Sequence, residues 1–287
     1  MSSFSKYLVG GAQVTRLFET SIDIPPERLY VNWDDNNPDY RKWFSGKENE
    51  GLNPATLSVH TWIVEWRGKI VLVDTGVGNG KERSFSPAFH HLNTRYIEDL
   101  GRLGVRPEQV DLVLLTHLHT DHIGWNTFHD GVRWVPTFPN ARYIFPQAEL
   151  DFFKTPAAES RLVIFDDSVR PVIESGNYTT VPEAGGTIDG FTFHPTPGHS
   201  VGHMSISFRD EKETALFTGD VAHNPVQVEN PELASIFCAD PEKARLSRLW
   251  VLEHGADQDA TLFTAHFSQS SAGKVVRTPT GYSWSFV

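Results

Sequence analysis

The stretch Val110-Asp-Leu-Val-Leu-Leu-Thr-His-Leu-His-Thr-Asp-His122 decides how this chain is read. It opens on an apolar run, Val110 to Leu115, of the kind that forms a strand buried on both faces. It closes on four potential metal ligands within six residues: His117, His119, Asp121 and His122. His117 and His119 are two apart, so on extended backbone they point to the same side. Asp121 and His122 reach a second point only if the chain bends, and Gly124 permits a bend there. Imidazole and carboxylate are the ligands that a borderline ion such as Zn2+ prefers.

The same design recurs along the chain. Leu57 to Trp66 alternates as a strand does, and Gly68 marks a hairpin turn before Ile70-Val-Leu-Val73. That run ends in Asp74-Thr-Gly76, Ala215-Leu-Phe-Thr218 runs into Gly219-Asp220, and Leu262-Phe-Thr-Ala265 runs into His266. Each strand delivers a polar group at its C-terminal end, the edge where open α/β sheets bind ligands. Thr196-Pro-Gly-His199-Ser-Val-Gly-His203 sets His199 in a glycine turn. Between the strands, Thr94 to Gly104 reads as a helix with Ile97 and Leu100 inward and Gly104 as its stop. Asp240-Pro241 caps a later helix, with Leu246, Leu249 and Trp250 as its inward stripe and Gly255 closing it. Strands in two batches separated by helices predict two sheets packed together with helices outside.

Composition removes several functions. Lys plus Arg number 25 against 36 Asp plus Glu, a net charge of −11, so no broad basic face is expected for nucleic acid or anionic lipid. Cys238 is the only cysteine, which excludes an intrachain disulfide and a cysteine zinc knuckle. No apolar run approaches the roughly 18 residues a membrane helix needs. Met1 to Gly10 has no basic region before an apolar core, so a cytoplasmic location is expected. No repeat or linker is visible, and the chain reads as a single domain, 1–287, with an N-terminal arm over 1–50. In that arm the aromatics of Tyr30 to Phe44 read as packed inward, with a lid or a homodimer contact as the alternative. Of the 13 histidines, His90, His91, His129, His194 and His254 read as structural or solvent-facing, while His203 is a candidate support for the ligands.

Adding His199, Asp220 and His266 to the first four gives seven candidate ligands. Seven is too many for one tetrahedral ion and suits two ions about 3.5–4 Å apart sharing a carboxylate. The order Thr-His-x-His-x-Asp-His, Pro-Gly-His, Gly-Asp and a late His, with Val73-Asp-Thr-Gly76 upstream, resembles the metallo-β-lactamase superfamily. The resemblance spans roughly residues 57–267. It implies an α/β fold, the αββα sandwich, with two mixed β-sheets flanked by helices. It further implies that His117, His119 and His199 hold one ion and that Asp121, His122 and His266 hold the other. Asp220 would bridge them, and Asp74 matches the family's carboxylate that orients ligands without binding metal.

The full ligand motif, including Asp121, departs from the versions found in many true β-lactamases. The acidic balance argues against the nuclease branches, and the full second-site set against the single-iron persulfide dioxygenases. After His266 only Lys274 and Arg277 are basic, unlike the glutathione-binding end of glyoxalase II-type thioesterases. Trp134 to Tyr143 and Gly219 to Gln227 are similar to the branch of N-acyl homoserine lactonases and methyl parathion hydrolase-like enzymes. His223 stands where several homoserine lactonases carry tyrosine, as in the methyl parathion hydrolase-like enzymes.

The expected activity is therefore a dinuclear metal-dependent hydrolase for a lactone or ester with an apolar substituent, through attack of a metal-bridging hydroxide. A phosphotriesterase is the alternative. Zn2+ is the expected ion, with cobalt, manganese or iron behind it. Asp121 and His223 are the candidate catalytic residues, His223 as a proton donor to the leaving oxygen. Trp125, Phe128, Phe138 and Phe267 follow the ligand motifs and are candidate walls of a small-molecule pocket. A redox metal protein would instead show iron and oxygen consumption. A partner-binding protein with an idle site would keep its binding after chelation.

Overall fold

The apolar runs become the central strands of two mixed seven-stranded sheets. The structure is a computed structural model that describes residues 4–45 and 52–287. Residues 1–3 and 46–50 of the expected arm lie outside the described residues. Contacts divide the chain into two units, Met1–Thr20 with Val59–Gly186, and Ser21–Ser58 with Thr187–Val287.

In the first sheet the order is β1 (Lys6–Val9), β2 (Ala12–Ile24), β3 (Ala55–Trp66), β4 (Lys69–Val73), β5 (Leu112–Leu114), β8 (Arg142–Pro146) and β9 (Tyr178–Val181). A separate ribbon pairs β6 (Thr127–His129) with β7 (Trp134–Pro136). The β3–β4 hairpin turns at Arg67 and Gly68, both with positive φ. From β4 onward the pairs β4–β5, β5–β8 and β8–β9 are parallel. The helix Tyr96–Arg102 buries Tyr96 and Leu100, four apart, while Ile97 is only partly buried. Gly104, at φ +86, provides the left-handed stop after it. These side chains join Leu72, Val113, Tyr143 and Phe145 in the first unit's core. Each large apolar side chain so buried contributes about 1.5–3 kcal/mol.

The second sheet runs in sequence order: β10 (Gly186–Ile188), β11 (Phe191–Pro195), β12 (Met204–Asp210), β13 (Glu213–Gly219), β14 (Thr261–Thr264), β15 (Ala272–Thr278) and β16 (Gly281–Phe286). Only the β13–β14 pair is parallel among those whose pairing is described. The helix Pro241–Asp257 starts as expected, with the Asp240 side chain accepting from the Lys243 N–H. Its buried face corrects the expectation in part, since Trp250 is half-buried against the second unit's core and Leu249 is half-buried. Leu246 is 52% exposed, and the inward residues are Ala244, Ser247, Arg248, Val251, Leu252 and Gly255. Polar side chains hold that face because their hydrogen bonds are met inside: Ser247 Oγ donates to Pro197 O, and Arg248 donates to Val221 O and Pro231 O. Gly255 does not end the helix. A Cβ there would lie 2.9 Å from Leu262 Cδ1, so the glycine permits close packing on β14.

The aromatics from Tyr30 to Phe44 pack together within the second unit. Tyr30 and Phe44 are buried, and Trp33 lies against Tyr30, Tyr40 and Phe44 with centroids 6.0, 5.4 and 5.4 Å away. Tyr30 bridges to Ser235, Val31 N donates to Ala234 O, and Ile236 N donates to Leu29 O. Among the described residues, no helix is long and apolar enough to cross a membrane.

Candidate active site

β4 and β5 are parallel with Val73 opposite Leu114, so both strands end at the same edge of the first sheet. Asp74 and Thr116 leave those ends side by side. Thr116 donates from N to Asp74 Oδ1 at 2.8 Å and from Oγ1 to Asp74 Oδ2 at 2.9 Å. These bonds hold Asp74 at φ +54, a left-handed conformation that non-glycine residues rarely adopt. His122 Nδ1 donates to the same Oδ2 at 2.8 Å, which leaves Nε2 as its nitrogen for an ion. With its one proton given to Asp74, the Thr116 hydroxyl accepts from His117 Nδ1 at 3.0 Å, leaving His117 Nε2 likewise.

The loop folds its candidate ligands together. The His117 ring lies 4.5 Å from His119 and 4.1 Å from His122, and His122 Nε2 lies 3.9 Å from Asp121 Oδ2. The turn is closed by His122 N donating to His119 O. Gly124 serves it differently from the expectation: its missing Cβ would stand 1.8 Å from the Val77 carbonyl carbon, so close approach, not a bend, demands glycine. Arg161 Nη1 lies 3.0 Å from His119 Nε2, and an ion taken at that nitrogen displaces the arginine.

Buried charged groups brace the loop from behind. Leu118 N donates to Glu149 Oε2 at 3.0 Å. Arg83 Nε donates to Thr120 Oγ1 at 2.6 Å, while its two terminal nitrogens grip Asp167 at 2.7 and 2.8 Å. Lys81 shares that carboxylate at 3.5 Å and lies 3.8 Å above the Trp134 ring; burial pulls its ammonium down to about 7. Glu19 accepts from Val77 N, Gly78 N, Trp125 Nε1 and Thr94 Oγ1, although burial pushes its carboxyl above the ordinary range.

The second unit gathers its own share. In the parallel β13–β14 pair Gly219 sits opposite Thr264, so Asp220 and His266 emerge from adjacent strand ends. His266 Nδ1 donates to Ser58 O at 2.8 Å, and its Nε2 lies 2.9 Å from Asp220 Oδ2. His199 Nε2 and His223 Nε2 approach the same oxygen, at 3.2 and 3.6 Å. All four side chains are buried. With its Nδ1 proton committed, a neutral His266 turns a lone pair toward a carboxylate oxygen, and a cation between the two relieves that opposition. Buried imidazole nitrogens around one carboxylate are the donors a divalent ion takes.

His203 carries the support that its position suggested. Its Nδ1 donates to Thr196 O at 3.0 Å and its Nε2 accepts from Asp220 N at 2.8 Å, tying the His199 turn to the Asp220 backbone. Gly198, at φ +126, lets that turn meet the helix Pro241–Asp257, since a Cβ would stand 2.1 Å from Ala244 N.

Three of the four aromatic candidates are core side chains. Trp125 stacks on Tyr96 at 4.9 Å, Phe138 belongs to the same core, and Phe267 packs on Trp284 at 4.9 Å in the second unit. Phe128 is exposed on the ribbon. An exposed ring lies beside His223: Phe237, 39% exposed and 5.8 Å from the His223 ring, with exposed Ile236 next to it and exposed Val31 on the arm segment bonded alongside. Sequence reading missed Phe237, Glu19, Glu149, Arg83 and Thr116. Only Thr116, directly before the ligand motif, carried a signal.

The family model of the metallo-beta-lactamase superfamily matches residues 55–266. An N-acyl homoserine lactonase of Bacillus cereus is 28% identical over 202 residues, 63% of this chain and 72% of its own. A thioesterase of Emericella nidulans is 29% identical over 174 residues, 59% of this chain and 38% of its own. Among solved structures, the hydrolase AbOPH of the beta lactamase superfamily matches with a TM-score of 0.83 and 26% identity, covering 100% of this chain and 98% of that one. AidC, a dizinc quorum-quenching lactonase, shares the fold with a TM-score of 0.77 at 20% identity, covering 99% and 97%. With the ligand motifs in family order inside the matched range, the chain belongs to the metallo-β-lactamase superfamily and is a metal-dependent hydrolase.

Proposed function

We propose that this hydrolase opens a lactone or cleaves an ester with an apolar substituent, using one two-ion centre. The observation that carries the reading is the convergence of His199, His223 and His266 on a single Asp220 oxygen. The family match also encloses the complete ligand order. In this reading His117, His119, Asp121, His122, His199, Asp220 and His266 serve two divalent ions, zinc by preference.

Such ions, when bound, supply an activated water and a polarised carbonyl at neutral pH without serine or cysteine. The chain's own residues do the positioning. Asp74 and Thr116 fix the tautomers of His122 and His117. His203 fixes the Asp220 backbone. His223, held by its N–H on Gln227 Oε1 at 2.8 Å, presents its ring N–H to the departing oxygen. Phe237, Ile236 and Val31 offer apolar surface to the substituent. The lactonase name of the Bacillus cereus relative supports a lactone substrate. Histidine instead of tyrosine at 223 favours the second reading, phosphotriester hydrolysis, with the same residues placed around phosphorus.

The test compares kcat/KM for dihydrocoumarin, an acyl homoserine lactone and paraoxon-methyl on one zinc-loaded preparation, with an EDTA control and His223→Tyr alongside. The lead reading expects EDTA-sensitive turnover led by a lactone. A phosphotriester in the lead replaces it with the second reading, and EDTA-insensitive turnover contradicts both.

A further inference from the structure

A second cluster of ligand-type side chains lies in the first unit, away from the His117–His122 loop. Glu82, His90 and His91 each bring one donor atom within 4.8 Å of the others, and all three are exposed. His91 Nδ1 sits 3.1 Å from the Gly80 carbonyl oxygen, which only accepts, so that nitrogen carries the proton. Its Nε2 faces Glu82 Oε2 at 3.3 Å.

His90 is placed in the same way. Its Nδ1 accepts the Arg83 N–H at 3.0 Å, so it is a lone pair, and it faces Glu82 Oε1 at 3.2 Å. The two rings are 4.1 Å apart between centroids. Ser84 N donates to Glu82 Oε1 at 3.0 Å. Two imidazole nitrogens held beside one carboxylate are a donor set of the kind a divalent ion takes.

We propose that Glu82, His90 and His91 form a peripheral site for one borderline divalent ion of the Zn2+, Ni2+ or Cu2+ class. Two imidazoles and a carboxylate are a three-ligand set that leaves a further position to water. Glu82 and His91 also line a cavity of about 410 Å3 with Trp134, Val163, Asp166 and Asp167, which gives the remaining positions room. An ion at His90 Nδ1 takes the lone pair that Arg83 N–H now uses.

The experiment is equilibrium dialysis of the full chain against zinc at pH 8, with bound zinc counted per chain by mass spectrometry. The His90→Ala/His91→Ala variant is expected to hold one zinc fewer than the wild type and to melt at the same temperature in metal-free buffer, because both rings are exposed. Equal zinc counts in a variant of unchanged melting temperature overturn the proposal. If the double variant melts lower, zinc-soaked crystals of the wild type decide. An anomalous peak joined to all three side chains supports the site, and none there overturns it. The outcome is separable from the two-ion reading, because the lactone assay and this count use different residues.

Discussion

The His117–His122 loop takes its shape from buried charged side chains behind it, while the candidate ligands of the second unit take theirs from strand ends and one imidazole. In the first unit the bracing groups are Asp74, Glu149 and the Arg83–Asp167 pair. In the second, Asp220 and His266 stand together because β13 and β14 are parallel, and His203 ties Asp220 to the His199 turn. A braced loop is only as sound as its buried ion pair. A strand-end site is only as sound as its sheet register. Loss of a bracing group is therefore expected to appear as lost stability in the first unit and as lost metal affinity in the second.

Removal of the shared carboxylate itself should have the largest effect. Asp220→Ala is expected to reduce lactone turnover to the level of the chelated enzyme while the circular dichroism stays unchanged. Asp167→Ala follows, leaving Arg83 and Lys81 as buried cations without their counterion. It is expected to cost about 3–5 kcal/mol in urea unfolding, and a cost below 1 kcal/mol would show that the loop is not braced this way. His203→Ala should cost little stability but lower zinc affinity about 10–100-fold, as the loss of a group orienting ligands does. Phe237→Ala is expected to raise KM for long-chain acyl lactones several-fold with kcat preserved, read from a chain-length series.

The smallest effect is one of pH. His194 lies against Trp250 and His254, and burial, with the neighbouring His254, pulls its imidazole down to about 4. Between about pH 6.5 and that value the unfolded chain binds a proton that the folded chain refuses, so stability falls as pH falls through this window. His194→Gln should flatten that part of a melting-temperature profile, and an unchanged slope would assign the acid sensitivity elsewhere.

What was readable in the sequence divides along the same line. The ligand loop is contiguous, so His117, His119, Asp121 and His122 announce themselves, and short apolar runs ending in Asp74, Asp220 and His266 mark the strands that carry the rest. The caps at Asp240 and Gly104 were equally local. The bracing residues were not, because Glu19, Glu149 and Asp167 meet their partners across long stretches of chain and have no periodic signature. The face of the helix Pro241–Asp257 misled for a related reason: apolar periodicity cannot show that a buried arginine finds two carbonyls. Trp125, Phe138 and Phe267 lay beside the ligand motifs in sequence, yet large rings next to strand ends are drawn into the core by their area.

The central claim, the proposed two-ion assignment, is tested most directly by counting tightly bound zinc in His122→Ala, His266→Ala and the double variant. The count is made in a background lacking His90 and His91. Both residues are assigned to the same ion, so each single variant and the double variant should retain one zinc where the parent holds two. A double variant that retains none, or single variants that still retain two, would contradict a shared centre.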